Sequence, residues 1–387
     1  MAKKTKGKQI TVRRSGSGSG DYSMYFEYGT NGNDTITFLS KTKYVKVEGG
    51  KGNDIINVKG NYHKILGDNK GESYYYSTYS GKDTITLVSG KGHYVWGNKG
   101  NDKIYVKKGA GFDVLCGCEG HDTITVYKGA RAGKKNDYAD IDGGKGNDKI
   151  SVTNGKYYDI DGAEGHDTIT VTGGSYYKIY DKNGRNKITV KKAENFEVDN
   201  YSKGSSITIT GGKNGHIITE DTTVTINSGT GHQVTAERGK VEIKGGTNLT
   251  VSDSDWRSTN ETIEIKGGSG TVTLEDGGKK DAVTIDFANG KNKVGNWEIS
   301  ADCLANNRLT VLGASSKEFE VTRFYDSFGP SLMLTDCWIM KNIKTGATIT
   351  LEGWDSGWTT TFDIYFAKDN ITKTSKPALT EVEIHGV

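Results

Sequence analysis

Proline is almost missing from this sequence: Pro330 and Pro377 are the only two in 387 residues. That excludes proline-rich linkers and polyproline stalks. There is no apolar run near the roughly 18 residues that a membrane-spanning helix requires. The N-terminal MAKKTKGKQITVRR is basic but has no apolar core, so a cleavable secretory leader is not expected there. Cysteine is scarce. Cys116, Cys118, Cys303 and Cys337 are too few and too scattered for a disulfide framework. Apolar residues make up only 33% of the chain, which argues against a broad globular core. His-Glu-x-x-His and Gly-x-Ser-x-Gly do not occur, so the zinc-protease helix and the hydrolase nucleophile elbow are excluded.

What the chain has is glycine, 54 residues of it, without the every-third-residue period of a collagen. Val, Ile, Thr and Tyr are abundant and favour strands. The glycines belong to a repeat. It reads GTNGND (29–34), GGKGND (49–54), GNKGND (97–102), GCEGHD (117–122), GGKGND (143–148) and GAEGHD (162–167), with a partial copy, SGKD, ending at Asp83. Each copy runs into an alternating apolar pair, from Ile36/Phe38 to Ile169/Val171. Asp-to-Asp spacings are 20 (34 to 54), 19 (83 to 102), 20 (102 to 122) and 19 (148 to 167). The longer intervals, 54 to 83 and 122 to 148, predict a looped-out segment or a degenerate turn such as GDNKGE.

A second short strand lies within each unit, following Tyr44, Tyr62, Phe112, Tyr138, Tyr157 or Tyr176. A turn–strand–turn–strand unit of this size has no opposing layer of its own. Stacked on copies of itself at about 4.8 Å, its edges are paired and its inward Ile and Val residues form a continuous core. The expectation is all-β: a right-handed parallel β-solenoid, or β-roll, with a β-rich C-terminal cap or module.

The glycines let the turn adopt φ > 0 and turn carbonyl oxygens inward. One Asp per turn would stack carboxylates about 5 Å apart, an arrangement that calls for cations between them. The available donors are all oxygen, which suits Ca²⁺ better than Zn²⁺ or Mg²⁺.

GGKGNDKIS, GGKGNDIIN and GNKGNDKIY resemble the RTX nonapeptide Gly-Gly-x-Gly-x-Asp-x-aliphatic-x of calcium-binding β-rolls, over about residues 29–190. The resemblance implies Ca²⁺ held in a row between adjacent turns, a type I secretion machinery as partner, and folding on calcium outside the cell. It assigns the metal ligands to Asp34, Asp54, Asp102, Asp122, Asp148 and Asp167, with Asp83 less complete. Carbonyls of the glycine turns at Gly29, Gly49, Gly97, Gly117, Gly143 and Gly162 would complete the sites. The opposite edge carries KGNY, TNGKY and TGGSY instead, so the row should run along one edge. The unit is also similar to the one-sided repeat of bacterial RTX antifreeze adhesins. Lys51, Lys99 and Lys145 occupy the slot of that family's ice-ordering Thr, which argues against an ice face. Lysines within the turns and the four cysteines are departures from the usual acidic, cysteine-poor pattern of secreted members.

The chain divides into a basic, Gly/Ser-rich arm (1–28), calcium-binding repeats (29–190), calcium-free coils (191–289) and a bulkier C-terminal part (290–387). In DKNGRN (181–186) and YSKGSS (201–206) the Asp slot holds Asn186 and Ser206, which marks the fading of the metal pattern. The C-terminal part holds both prolines and Trp297, Trp338, Trp354 and Trp358. It reads as a cap, a binding module or an export signal. Net charge is +3, but six basic residues fall in the arm, so the rest is acidic. The arm is read as solvated, with an anionic cell surface as its alternative partner; nucleic acid is not expected.

Cys116, Cys118 and His121 could hold a soft metal, but reduced thiols in a tight turn are the expectation; a Cys303–Cys337 disulfide stays open. The turn tyrosines are read as a stacked, stiffening ladder, and as a glycan-binding edge if exposed; Tyr74, Tyr75, Tyr76 and Tyr79 are the better candidates for an exposed patch. The function expected is a secreted, non-enzymatic, adhesin-like calcium β-roll, with a polysaccharide lyase or epimerase on a solenoid face as the alternative.

Overall fold

Alternation with β-branched inward residues and glycine-rich corners should give short parallel strands, and it does. A computed structural model describes residues 7–20, 23–68, 77–131, 133–253, 262–273, 282–288, 293–300, 308–328, 333–354, 363–369, 371–374 and 384–386. It is all-β, with parallel strands stacked as a solenoid, and it divides into two compact units, Met1–Ser202 and Lys203–Val387.

In the first unit one parallel ladder runs through Gln9–Val12, Thr35–Phe38, Ile55–Val58, Thr84–Leu87, Lys103–Val106, Thr123–Val126, Lys149–Thr153, Thr168–Thr172 and Lys187–Lys191. Its register has no slip: Ile10, Ile36, Ile56, Ile85, Ile104, Ile124, Ile150, Ile169 and Ile188 stack one on the next. The second ladder stacks Val47, Ile65, Val95, Leu115, Ile141, Ile160, Ile179 and Val198. From Ile36 and Val47 onward both stacks point inward and are buried. Each such side chain contributes about 1.5–3 kcal/mol of burial. A one-residue slip would turn the whole row outward, so the aliphatic pairs hold the coils in step.

The roll reaches into the segment read as an arm. Gln9–Val12 pairs with Thr35–Phe38, and Tyr25–Tyr28 with Val45–Glu48. QITV has the same alternation as TITF and TITV, without a glycine turn before it to advertise it. The two long intervals are insertions at different corners. At one, the Gly81 amide donates to Asp68 Oδ2 across the interval; at the other, Lys134 and Asp137 form a turn.

The second unit opens with 17-residue coils, Ile207 over Val224 and Val224 over Val241, and its later coils are longer. The inward stack runs Ile207, Val224, Val241, Ile263, Val283, Leu309 and Ile364. Parallel pairing therefore continues past residue 289, where the calcium-free coils were expected to end. Antiparallel strands are added to it: Phe319–Phe328 with Met333–Asn342, Asp363–Phe366 with Ile371–Thr374, and Ile371–Thr374 in turn with Ile384–Gly386. On this unit's outer face, Lys240 pairs with Glu264 at 2.6 Å and Lys244 with Glu242 at 3.0 Å. Among the described residues no helix is long and apolar enough to cross a membrane.

Candidate metal centre

The Gly-Asn-Asp end of each repeat builds two hydrogen-bonded ladders of opposite polarity. The inner one is made by the aspartates. The amides of Asp34, Asp54, Asp83, Asp102 and Asp122 each donate to Oδ1 of the next coil's aspartate at 2.7 Å. Asp148 donates to Asp167 at 2.6 Å, and Asp167 to Asn186 Oδ1 at 2.9 Å. The outer ladder runs the other way. Asn53 N donates to Asn33 Oδ1, His121 N to Asn101 Oδ1, Asn147 N to His121 Nδ1, His166 N to Asn147 Oδ1 and Arg185 N to His166 Nδ1, at 2.7–3.0 Å. His121 and His166 thus stand in for Asn, because Nδ1 occupies the place of an amide oxygen.

The seven sequence-assigned aspartates therefore form one row, and Asp83, from the least complete copy, stands in it like the others. All are buried. They differ at the second oxygen. Asp34 Oδ2 accepts from the backbone N–H and the hydroxyl of Thr30. Oδ2 of Asp54, Asp83, Asp102, Asp122, Asp148 and Asp167 has no protein partner. Burial pushes these carboxyls up, to about 7 for Asp54, about 9 for Asp83, about 8 for Asp102, about 7 for Asp122 and Asp148, and about 6 for Asp167. Charge from neighbouring aspartates adds to this, most clearly from Asp68 at Asp83.

The first glycine of each repeat leaves the space that these oxygens face. A Cβ on Gly97 would lie 2.6 Å from Asp102 Oδ2 and 2.7 Å from the carbonyl oxygen of Gly117. On Gly143 it would lie 2.7 Å from both Asp148 Oδ2 and the Gly162 carbonyl oxygen. Gly29, Gly49 and Gly117 repeat the pattern, and so does Gly67, which lies outside the glycine set expected from the repeat. The second glycine serves the backbone instead. Gly146 has φ +136° and packs against the Gly120 carbonyl, where no side chain fits.

An orphaned buried carboxylate oxygen beside a carbonyl, repeated coil after coil, is a donor set that fits a hard cation. Among the described residues no three His, Cys, Asp or Glu side chains gather at one point. The remaining ligands would therefore be carbonyl oxygens.

Besides Glu48, which pairs with Lys46 at 3.2 Å, two buried carboxylates among the described residues lie outside the assigned set. Asp68, the last described residue before the first insertion, accepts from Gly81 N at 2.8 Å through Oδ2, while its Oδ1 has no partner. Asp181 sits in the first-glycine slot of DKNGRN, with Oδ2 unpartnered. Aligning GDNKGE and DKNGRN slot by slot with GAEGHD exposes both; the irregular spacing hides them.

Cys116 and Cys118 are joined as a disulfide, not free thiols. His121 belongs to the outer ladder, so the three make no metal site. Cys303 and the side chain of Cys337 lie outside the described residues. The tyrosine edge is half as regular as its spacing suggests. Tyr44, Tyr62, Tyr157 and Tyr176 share a left-handed backbone (φ 52–59°) and stack in pairs, Tyr44–Tyr62 at 5.3 Å and Tyr157–Tyr176 at 4.9 Å. Lys156 Nζ lies 5.0 Å from the Tyr157 ring centre. Phe112, in contrast, is inside, 5.4 Å from Tyr158. His63 and His93 stack at 5.3 Å in that interior line. Tyr74, Tyr75 and Tyr76 lie outside the described residues, while Lys51 Nζ sits 4.7 Å over Tyr79. A hollow of about 800 Å³ in the second unit is lined by Thr250, Thr271, Asn296, Trp297 and Thr350, and among the described residues its one ionisable lining residue is Glu298.

No family model, curated protein or solved structure matches this chain.

Proposed function

We propose that this protein is an extracellular, non-enzymatic β-roll of the RTX type that folds on Ca²⁺ and acts as an adhesin-like surface module. The observation that carries the reading is the row of buried Oδ2 atoms from Asp54 to Asp167, without hydrogen-bond partners, facing glycine carbonyls from Asp54 to Asp148 and Asp181 Oδ2 at Asp167. The second unit's Glu242 and Glu264 have their own lysines; among the described residues no side-chain cation is hydrogen-bonded to the Oδ2 row of the first unit, which leaves its charge to protons or a metal. Ca²⁺ would supply that charge, with Asp54, Asp83, Asp102, Asp122, Asp148 and Asp167 as ligands and the carbonyls of the adjoining glycines beside them. Binding a metal in the native state alone is folding free energy, so external calcium would time folding to export by the type I route. The paired tyrosines with Lys156 form a half-exposed edge suited to glycan contact.

The test is far-UV circular dichroism of the full chain in EDTA and then with CaCl₂ titrated to about 10 mM, a concentration that covers the range of extracellular calcium modules. The expected result is a gain of β signal and of thermal stability with calcium. A spectrum and a melting curve indifferent to calcium would sink the reading.

A further inference from the structure

At the C-terminal end of the aspartate row the pattern is inverted. DKNGRN puts Asp181 in the slot that Gly143 and Gly162 fill in the two preceding coils, and Asn186 in the aspartate slot. Asn186 keeps the inner ladder going, since its Oδ1 accepts the Asp167 amide at 2.9 Å. Its side-chain NH₂ donates to Asp181 Oδ1 at 2.5 Å and to the Asn183 carbonyl at 3.0 Å. The Asn200 side chain holds the Asp181 carbonyl at 2.7 Å. Asp181 is therefore fixed through its carbonyl and Oδ1, while its Oδ2 has no partner.

That free oxygen points where another free oxygen points. A Cβ on Gly162 would lie 2.5 Å from Asp181 Oδ2 and 2.9 Å from Asp167 Oδ2. Asp181 is 0% and Asp167 1% exposed, and both oxygens are unpartnered. In the coil before, the corresponding point at Gly143 faces one carboxylate and one neutral carbonyl. The end of the row thus exchanges a carbonyl for a second carboxylate. Burial pushes Asp181 up to about 9, with the charges of Asp167, Asp161 and Asp148 adding to it.

We propose that Asp167 and Asp181 form a two-carboxylate site for a hard divalent cation of the Ca²⁺ type, the tightest site of the row and the first to fill. The inference rests on the row being a cation site at all. Two buried like charges facing one gap repel each other, and a divalent ion between them cancels both, whereas the gaps at Gly49, Gly67, Gly97, Gly117 and Gly143 face one carboxylate each. At Gly81, where Asp68 Oδ1 meets Asp83 Oδ1, the latter already accepts the Asp54 amide. Affinity in oxygen-ligand sites rises with ligand charge. Asn186 fits the same logic: a third carboxylate in its slot would overcharge the gap, while an amide orients Asp181 by donating to it.

Calorimetric titration of CaCl₂ into the full chain tests this, using wild type, Asp181→Asn and Asp181→Gly. Glycine is what the neighbouring coils carry in that slot, so Asp181→Gly preserves the fold if Asp181→Asn does not. The expected wild-type isotherm opens with a class of one ion per chain, roughly tenfold or more tighter than the classes that follow. Both variants lose that class and keep the later ones. A tight class that persists in both variants, or a wild-type isotherm with no distinct tight class, overturns the two-carboxylate site and leaves the row reading standing. No calcium binding by wild type overturns both.

Discussion

The backbone amide of Asp102 donates to Oδ1 of Asp122, one coil further along, at 2.7 Å. The same carboxylate leaves its Oδ2 without a partner. One side chain therefore has two separable duties, a structural acceptor within the ladder and an unmet charge beside a glycine gap. Most of what can be tested here follows from separating them.

Asp122→Asn retains the ladder acceptor and removes the charge, as Asn186 does naturally. In EDTA at pH 8 the variant should be at least as stable as wild type in urea, and it should bind one calcium fewer. Asp122→Ala loses the same calcium and also leaves the Asp102 amide unsatisfied in the interior, so relative to Asp122→Asn it should cost about 1–3 kcal/mol in EDTA and in calcium alike. Equal losses for the two substitutions would mean that the duties are not separable.

The glycine gap gives a steric prediction. Gly97→Ala places a methyl 2.6 Å from Asp102 Oδ2 and 2.7 Å from the Gly117 carbonyl, so it should cost about 1–3 kcal/mol and remove the local calcium response. Gly109 is the control. It has φ +82° but nothing within 4 Å of a new Cβ, so Gly109→Ala carries backbone strain of about 1 kcal/mol and no loss of calcium binding. Melting curves with and without calcium distinguish the two.

Metal-free stability should fall as pH rises. The row's folded-state values, about 6 for Asp167 to about 9 for Asp83, lie above the ordinary 3.8. The folded chain thus holds protons that the unfolded chain has released. This stabilisation is fully present below about pH 4 and is lost as pH rises through 6 to 9. In EDTA the melting temperature should drop between about pH 6.5 and 9. With saturating calcium the drop should flatten or reverse, because the metal replaces the protons. A pH-independent melting temperature in EDTA over that range would contradict the buried, unpaired row.

The interior histidines act in the opposite direction and in a different window. Burial depresses His63 to about 3 and His93 to about 4, with the charge of His93 adding to the effect at His63. Below about pH 6.5 the unfolded chain takes up protons that the folded chain refuses, so their contribution is lost as pH falls. His63→Phe leaves the Val45 amide, now 3.1 Å from Nδ1, without an acceptor and should cost about 1–3 kcal/mol at pH 7. The gap to wild type should narrow towards about pH 4, and a gap that widens on acidification would overturn this account.

Much of the repeat is legible in the sequence. The pairs Ile36/Phe38 to Ile169/Val171 announce one inward stack, and the Asp slot identified all seven members of the row, Asp83 included. Less legible were features with no glycine turn to flag them. Gln9–Val12 is a coil strand with no preceding motif, and the strands beyond residue 289 continue the parallel stack although the spacing has dissolved. Phe112 and Tyr158 share the interior line although Tyr157, not Tyr158, keeps the spacing of the outer tyrosines. A register shift of one residue at a corner exchanges inside for outside, and spacing alone does not resolve it.

The sequence by itself determined the period, the inward aliphatic stack and the edge on which the aspartates gather, because strand alternation and glycine turns are local and every coil repeats them. Only the tertiary structure decided what each aspartate does with its two oxygens. Oδ1 meets an amide 19 to 29 residues away in sequence, and Oδ2 meets a gap bounded by the next coil. Only the stacking of coils, moreover, turns the apparent lapse at DKNGRN into a second buried carboxylate facing the first. These relationships join one coil to the next, and no single repeat contains them.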